Sequence, residues 1–279
     1  MRLSEVAATV VGQTIYLAGG LTAEGRASDR FFAFDVPEVR WKELARMPAP
    51  LHHVAMVSQG DQIFVIGGYD DGWTAQDRIY RYSVKSDGWE VFLTLKRPIA
   101  AATAQVLGNE IHIFGGARKG HAVNDHAIVD LERLSVVDGV SLRVAREHLS
   151  SAVMGKRIYV VGGRAPSGGR INNLGTLEIY DADTGVLSEG PPMPTPRSGI
   201  AAVAVKGMVM VFGGESETRT FGEVEAYDVN RGSWTSLTYM PTPRHGLAAA
   251  TVGNRVYVIA GGPRPGLTVS DVNDVLILE

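Results

Sequence analysis

The chain has 279 residues, with 27 Lys and Arg against 30 Asp and Glu and a formal net charge of −3, so no overall basic field exists to draw in nucleic acid or an anionic membrane. Cysteine is absent, which excludes disulfides, thiolate metal sites and a cysteine nucleophile; it leans toward a reducing cytoplasm without fixing the compartment. Glu5 and Gln13 interrupt the apolar N-terminal stretch, so neither a signal peptide nor a membrane span is expected there.

In chain order, one pattern is written six times. Segment 1–48 carries a small-residue run at 7–11, a turn at Gly12, an apolar run at 15–18, the pair Gly19-Gly20, and then Phe34 and Trp41 seven residues apart. Segment 49–96 repeats this with a turn at Gly60, a run at 63–66, Gly67-Gly68, and Tyr82 seven residues before Trp89. Segment 97–143 keeps the turn at Gly108-Asn109, the run at 111–114 and Gly115-Gly116, but its aromatic positions fall near Val129 and Val136. Segment 144–194 has its turn at Gly155, a run at 158–161, Gly162-Gly163, a glycine-rich excursion over 164–175, and Tyr180 followed seven residues on by Leu187. Segment 195–242 shows runs at 201–205 and 209–212 about Gly207, then Gly213-Gly214, Tyr227 and Trp234. The last segment, 243–279, has its turn at Gly253-Asn254, a run at 256–259, Gly261-Gly262 and a strand-like stretch at 273–278. A seven-residue step from Leu276 passes the final residue, so a fourth strand is missing there.

The first glycines of the pairs lie 48, 48, 47, 51 and 48 residues apart, and a fixed period of that length marks a repeat architecture. Runs apolar on both faces read as buried strands, and the glycine or asparagine turns join them to the small-residue runs as hairpins. With the aromatic and tryptophan stretches, each repeat holds four strands. This pattern resembles the kelch repeat along the whole chain. The resemblance implies an all-β, six-bladed β-propeller of kelch type, a single unit over 1–279 with blades near 1–48, 49–96, 97–143, 144–194, 195–242 and 243–279, the last three-stranded. One blade cannot bury both its faces alone; neighbours on either side do it.

Antiparallel pairing brings the loops leading into strand one and the loops after the glycine pairs to the same edge, the mouth of the channel. The post-glycine loops hold nine Lys and Arg against ten Asp and Glu, so basic character is expected instead from the arginines before strand one. The binding candidates are Trp73, Tyr69, Asp71, Arg118, Arg164, Arg197, Arg219, Phe221, Arg244 and His245. Trp73 stands outside the blade-tryptophan register in a polar loop, where a large ring packs or binds. Arg197 and Arg244 sit in Pro-x-Pro-Arg stretches, with bracing of neighbouring loops as the alternative to ligand contact. His112 replaces the aromatics of sister strands and reads as packing between blades; His52 and His53, taken as strand residues, point to opposite sides. His121, Asp125 and His126 could ligate a metal, but no sister loop supplies a further set, and no metal or cofactor is expected.

No triad, phosphate loop or paired-carboxylate signature is present in the sequence. The expected function is therefore a binding scaffold for a peptide, a protein or a small anionic ligand, without nucleic-acid or membrane partners. The chain is also similar to stand-alone six-bladed kelch proteins that epimerise sialic acid, an alternative that would draw on Glu215, Glu217, Arg219 and Arg197. Copper oxidases of this fold need a cysteine-modified tyrosine, which this cysteine-free chain cannot form.

Overall fold

Small side chains at the centre and glycines at the strand ends let six sheets stand side by side around an axis. The computed structural model describes residues 2–166 and 170–279. Blade one orders Ala7–Val11, Thr14–Ala18, Phe31–Asp35 and Arg40–Glu43 from the axis outward; blade two orders Ala55–Gln59, Gln62–Ile66, Gln76–Ser83 and Gly88–Ile99. Blade three follows with Thr103–Leu107, Glu110–Phe114, His126–Asp130 and Ser135–Asp138, and blade four with Ser150–Met154, Arg157–Val161, Leu177–Asp181 and Val186–Gly190. Blade five has Ala201–Val205, Met208–Phe212, Glu223–Asp228 and Ser233–Tyr239. The last blade has three strands, Ala248–Val252, Arg255–Ile259 and Asn273–Ile277. Among the described residues no helix is long and apolar enough to cross a membrane. The 164–175 excursion includes 167–169, which lie outside the described residues.

The seven-residue aromatic spacing is a cross-strand pair: Phe34 faces Trp41, Tyr82 faces Trp89, Tyr180 faces Leu187 and Tyr227 faces Trp234 across the outer hairpins. Blade three fills the same slot with Val129 opposite Val136. Two tryptophans also tie blades together. The indole N–H of Trp89 donates to the Ala45 carbonyl of blade one at 2.9 Å, and that of Trp234 to the Pro191 carbonyl beside blade four at 2.8 Å. The core accordingly lies between blades: Tyr16 and Phe31 of blade one pack with Ile63, Val65 and Tyr82 of blade two.

The glycine pairs take positive φ, and their nearest neighbours show why a side chain is excluded. A Cβ on Gly19 would lie 2.5 Å from the Leu51 carbonyl oxygen of the next blade, which instead accepts the Gly20 N–H at 3.0 Å. In blade six the positive-φ pair is Ala260 (φ 58°) and Gly261 (φ 97°), one residue earlier than the glycine pair suggests. Gly261 donates to the Leu3 carbonyl at 3.0 Å, which makes Leu3 the counterpart of Leu51 and Arg244. Among the described residues no strand is exchanged between the ends of the ring. Blades one and six are held by main-chain bonds from Leu3 to Ser270 (3.1 Å) and from Glu5 to Gly246 (2.6 Å), over an apolar seam that includes Leu3, Val6, Leu17, Ala248 and Tyr257.

Candidate functional site

Just before each inner strand one residue adopts the left-handed conformation: Glu5 (φ 53°), His53 (55°), Ala101 (51°), His148 (53°), Gly199 (66°) and Gly246 (57°). Each donates its N–H to the carbonyl of its counterpart in the preceding blade, at 2.6, 3.1, 2.9, 3.0, 2.9 and 2.9 Å, and the six bonds close a circle about the axis. The chain turns sharply there, which places these residues on the axis and their predecessors, Ser4, His52, Ala100, Glu147, Ser198 and His245, one step outward. Those predecessors pair antiparallel with Leu21, Tyr69, Ala117, Arg164, Glu215 and Gly262, the residues that directly follow the positive-φ pairs. Three concentric tiers of side chains thus frame one mouth. Its cavity of about 460 Å³ is lined by Glu5, His53, Trp73, His148, Arg164, Glu215, Glu217 and His245. Beneath the Glu5, His53 and His148 tier a second cavity of about 160 Å³ runs between the inner strands.

Most chemistry in this mouth is ionic and buried. His53 Nε2 lies 3.2 Å from Glu5 Oε2, and His245 Nδ1 lies 3.3 Å from Glu5 Oε1 and 3.6 Å from Glu215 Oε2. Arg164 donates to Glu147 at 2.9 Å, to Glu215 at 3.2 Å and to the His148 ring at 3.2 Å. Burial opposes ionisation of Glu5, but the imidazoles of His53, His245 and His148 hold its carboxyl well below the usual carboxylate range. Burial likewise resists the charge on Glu147, yet the imidazole of His148 at 3.6 Å and the Arg164 guanidinium hold it at about 2. His245 is pushed up despite burial, because Glu5 and Glu215 favour its cation. His53 is pushed far down by burial, which outweighs the attraction of Glu5. Tyr69, buried behind the rim, is raised to about 12 chiefly by desolvation.

The structure brings four of the expected residues together at this mouth: Trp73, Tyr69, Arg164 and His245. Trp73 is 49% exposed and stands edge-on to His52 at 4.5 Å, with Tyr69 at 5.5 Å, so it both folds back on its loop and presents a free face. Asp71 works at the rim, accepting the Ala27 N–H at 2.6 Å and tying the blade-two loop to the blade-one loop. Arg118 lies elsewhere, in a crevice with Arg97, Asp125 and Asp138 between blades two and three, where it pairs with Asp125. Arg219 stacks on the Phe221 ring at 4.3 Å and pairs with Glu223 at 3.1 Å, while Phe221 is buried.

Arg197 and Arg244 correct the expectation of a basic mouth. Both are 0% exposed. Arg197 pairs with Glu225 of its own third strand and donates to the Gly213 carbonyl at 2.8 Å; Arg244 binds Asp274 at 2.6 Å and the Ala260 carbonyl at 2.6 Å. Arg146 and Glu178 repeat the device in blade four. These arginines brace the approach to strand one because their acidic partners occupy the third strands of the same blades. A second correction concerns His52 and His53. They precede the strand rather than belong to it: His53, at positive φ, lines the mouth cavity, while His52 is fully buried with its ring edge-on to Trp73, the two Nδ1 atoms 2.5 Å apart.

Sequence reasoning passed over Glu5, Glu147 and His148. The available signal was phase: 5, 53, 101 and 148 occupy the same position of the repeat, and polar residues recur there and one step before. Of the loop set considered for a metal, His126 is buried against Phe114 and bonded to His112 at 3.0 Å, while Asp125 is taken by Arg118 and Arg97. His112 is buried between blades three and four, 5.2 Å from the Tyr180 ring, in the packing role expected of it.

The fold is shared with known proteins at the level of repeat sequence. β-Scruin of Limulus polyphemus is 39% identical over 75 residues, a match covering 27% of this chain and 8% of that protein. α-Scruin of the same organism is 34% identical over 79 residues, 28% of this chain and 8% of the relative. A family profile described as the KLHDC2/KLHL20/DRC7 Kelch-repeats domain matches residues 5–143 and 137–279. With six sheets ringed about one axis and that profile matched along nearly all its length, the chain belongs to the kelch-repeat propeller family.

Proposed function

We propose that this protein is an interaction propeller whose mouth receives a protein or peptide segment, with Trp73 as the apolar anchor. The observation that carries the reading is the 460 Å³ cavity with a half-exposed indole at its rim and Glu215 and Glu217 in its wall. Half-buried aromatics beside a cavity are typical interface anchors. The charge balance favours a segment bearing a basic or hydrogen-bond-donating group over a free anion, because Arg164 is already engaged by two carboxylates and Arg197 and Arg244 are sealed inside their blades. Kelch propellers commonly serve as binding scaffolds, which agrees with this reading but does not carry it.

The test is selection of binding peptides from a displayed library on the intact chain, followed by titration of the selected peptides. Trp73→Ala is expected to weaken them by at least about tenfold, the loss usual for a hot-spot aromatic, and Glu217→Gln to weaken the basic ones. Replacement of Tyr239, which is exposed on an outer strand, leaves them unchanged. Peptides that ignore Trp73→Ala but lose affinity on an outer-strand change would remove the mouth as the recognition surface.

A further inference from the structure

Glu5, His53 and His148 come from three different blades, yet one ligand atom of each lies within 4.8 Å of the others at the floor of the mouth. They are the one such group of three among the described residues. We infer that Glu5, His53 and His148 form a divalent metal site on the propeller axis, two imidazoles and one carboxylate open toward the mouth cavity.

Four observations support it. The donor set is that of mononuclear transition-metal centres, in which two histidines and a carboxylate hold one side of the ion and leave the remaining positions free. An ion about 2.1 Å from each donor spaces them roughly 3 Å apart, so side-chain rotation of about an ångström closes the trio. The backbone is already committed: all three residues sit at positive φ in the circle of six main-chain bonds, which fixes their Cα positions without help from an ion. Finally, the polar atoms are undersatisfied. His148 Nδ1, on a side chain 6% exposed, and His245 Nδ1, on one 3% exposed, have no hydrogen-bond partner among the described residues. A native interior seldom tolerates such orphans, and an ion is one of the things that resolves them.

Charge points the same way. Arg164 pairs with Glu147 and Glu215 but not with Glu5, whose carboxylate has no Lys or Arg partner among the described residues. A divalent ion would offset the carboxylate charge left there. His245, 3.3 Å from Glu5 and 3.6 Å from Glu215, is placed to orient the Glu5 carboxylate. The inference does not depend on what the mouth recognises, because the floor residues can be loaded and read without a partner.

The experiment uses the full chain, stripped with a chelator and titrated with zinc against a chromophoric competitor. One zinc per chain is expected, and His53→Asn and His148→Asn, chosen because asparagine accepts positive φ, should each weaken it at least about tenfold while melting cooperatively. His121→Asn, at an exposed histidine in the loop after Gly115-Gly116, should leave it unchanged. Should either ring variant fail to fold, X-ray absorption of the zinc-loaded wild type decides: two imidazoles with oxygen ligands support the site, and an all-oxygen or single-imidazole shell overturns it. Binding that survives both variants, or that disappears in His121→Asn, overturns it as well.

Discussion

Ala260 is the residue at which this chain departs from its own rule. In the other five blades the first positive-φ position after the second strand is glycine, and here an alanine takes φ 58° while being 1% exposed. An L-residue in that region carries a strain of about 1–2 kcal/mol, partly offset by the smaller unfolded-state freedom of alanine. Ala260→Gly is therefore expected to raise unfolding stability by about 0.5–1 kcal/mol in urea melts, whereas the same change at Ala248, a regular strand residue, should lower it. Two buried histidines give a second expectation. Burial pushes His112 down to about 4; burial, and then the neighbouring His112, push His126 down to about 3. Both are neutral in the fold, while the unfolded chain takes up protons near pH 6.5. Below that pH the unfolded state binds more protons, so stability present at neutral pH is lost as pH falls from about 6.5 toward 4, by up to about 1.4 kcal/mol per unit for each ring. The pair His112→Phe with His126→Leu restores residue types found in sister blades, and its stability should fall less steeply across that window than the wild type's. An equal slope in parallel denaturant titrations would remove the histidines as the cause.

Strands and turns were legible because their signals are local. Glycine pairs, turn glycines and the seven-residue aromatic step each reflect a backbone requirement or one cross-strand neighbour, and even Val129 and Val136 fell in the right slot without an aromatic. Arg197 and Arg244 were misplaced for the opposite reason. Their partners Glu225 and Asp274 lie 28 and 30 residues away in third strands, and nothing local distinguishes a guanidinium that braces a blade from one that meets a ligand. Such pairs add little net stability, but leaving either charge buried alone would cost about 3–5 kcal/mol, which explains why both members sit at repeat-equivalent positions. The site was least legible, since Glu5, His53 and His148 meet through a left-handed turn that no strand alternation predicts. Blade six confirms the expected missing strand: Asn273–Ile277 has no outer neighbour among the described residues, with Val275 48% and Ile277 61% exposed. An uncovered apolar edge invites pairing with another chain. Ile277→Lys is expected to suppress concentration-dependent association in sedimentation without lowering the melting temperature; unchanged association would mean that this edge is not the contact.

At the scale of the whole ring, the six axial main-chain bonds make closure a property of backbone conformation rather than of strand exchange. The bond between Glu5 and Gly246 joins blade one to blade six across a seam that no covalent link crosses. Gly246 and Gly253 allow the seam to be separated from simple backbone strain, for both have positive φ, 57° and 61°. A Cβ on Gly253 meets nothing within 4 Å, whereas on Gly246 it meets the Glu5 carboxylate and lies 2.8 Å from the Glu5 nitrogen. Gly253→Ala should thus cost about 1 kcal/mol, the strain alone, and Gly246→Ala about 1–3 kcal/mol more. If the ring is one cooperative unit, the Gly246 variant unfolds in a single transition at lower denaturant, and amide exchange quickens in all blades together. If blades unfold one after another, as in open solenoids, protection is lost first in blades one and six while blades three and four keep theirs. The second outcome would mean that the circle of bonds orders the mouth without holding the toroid shut.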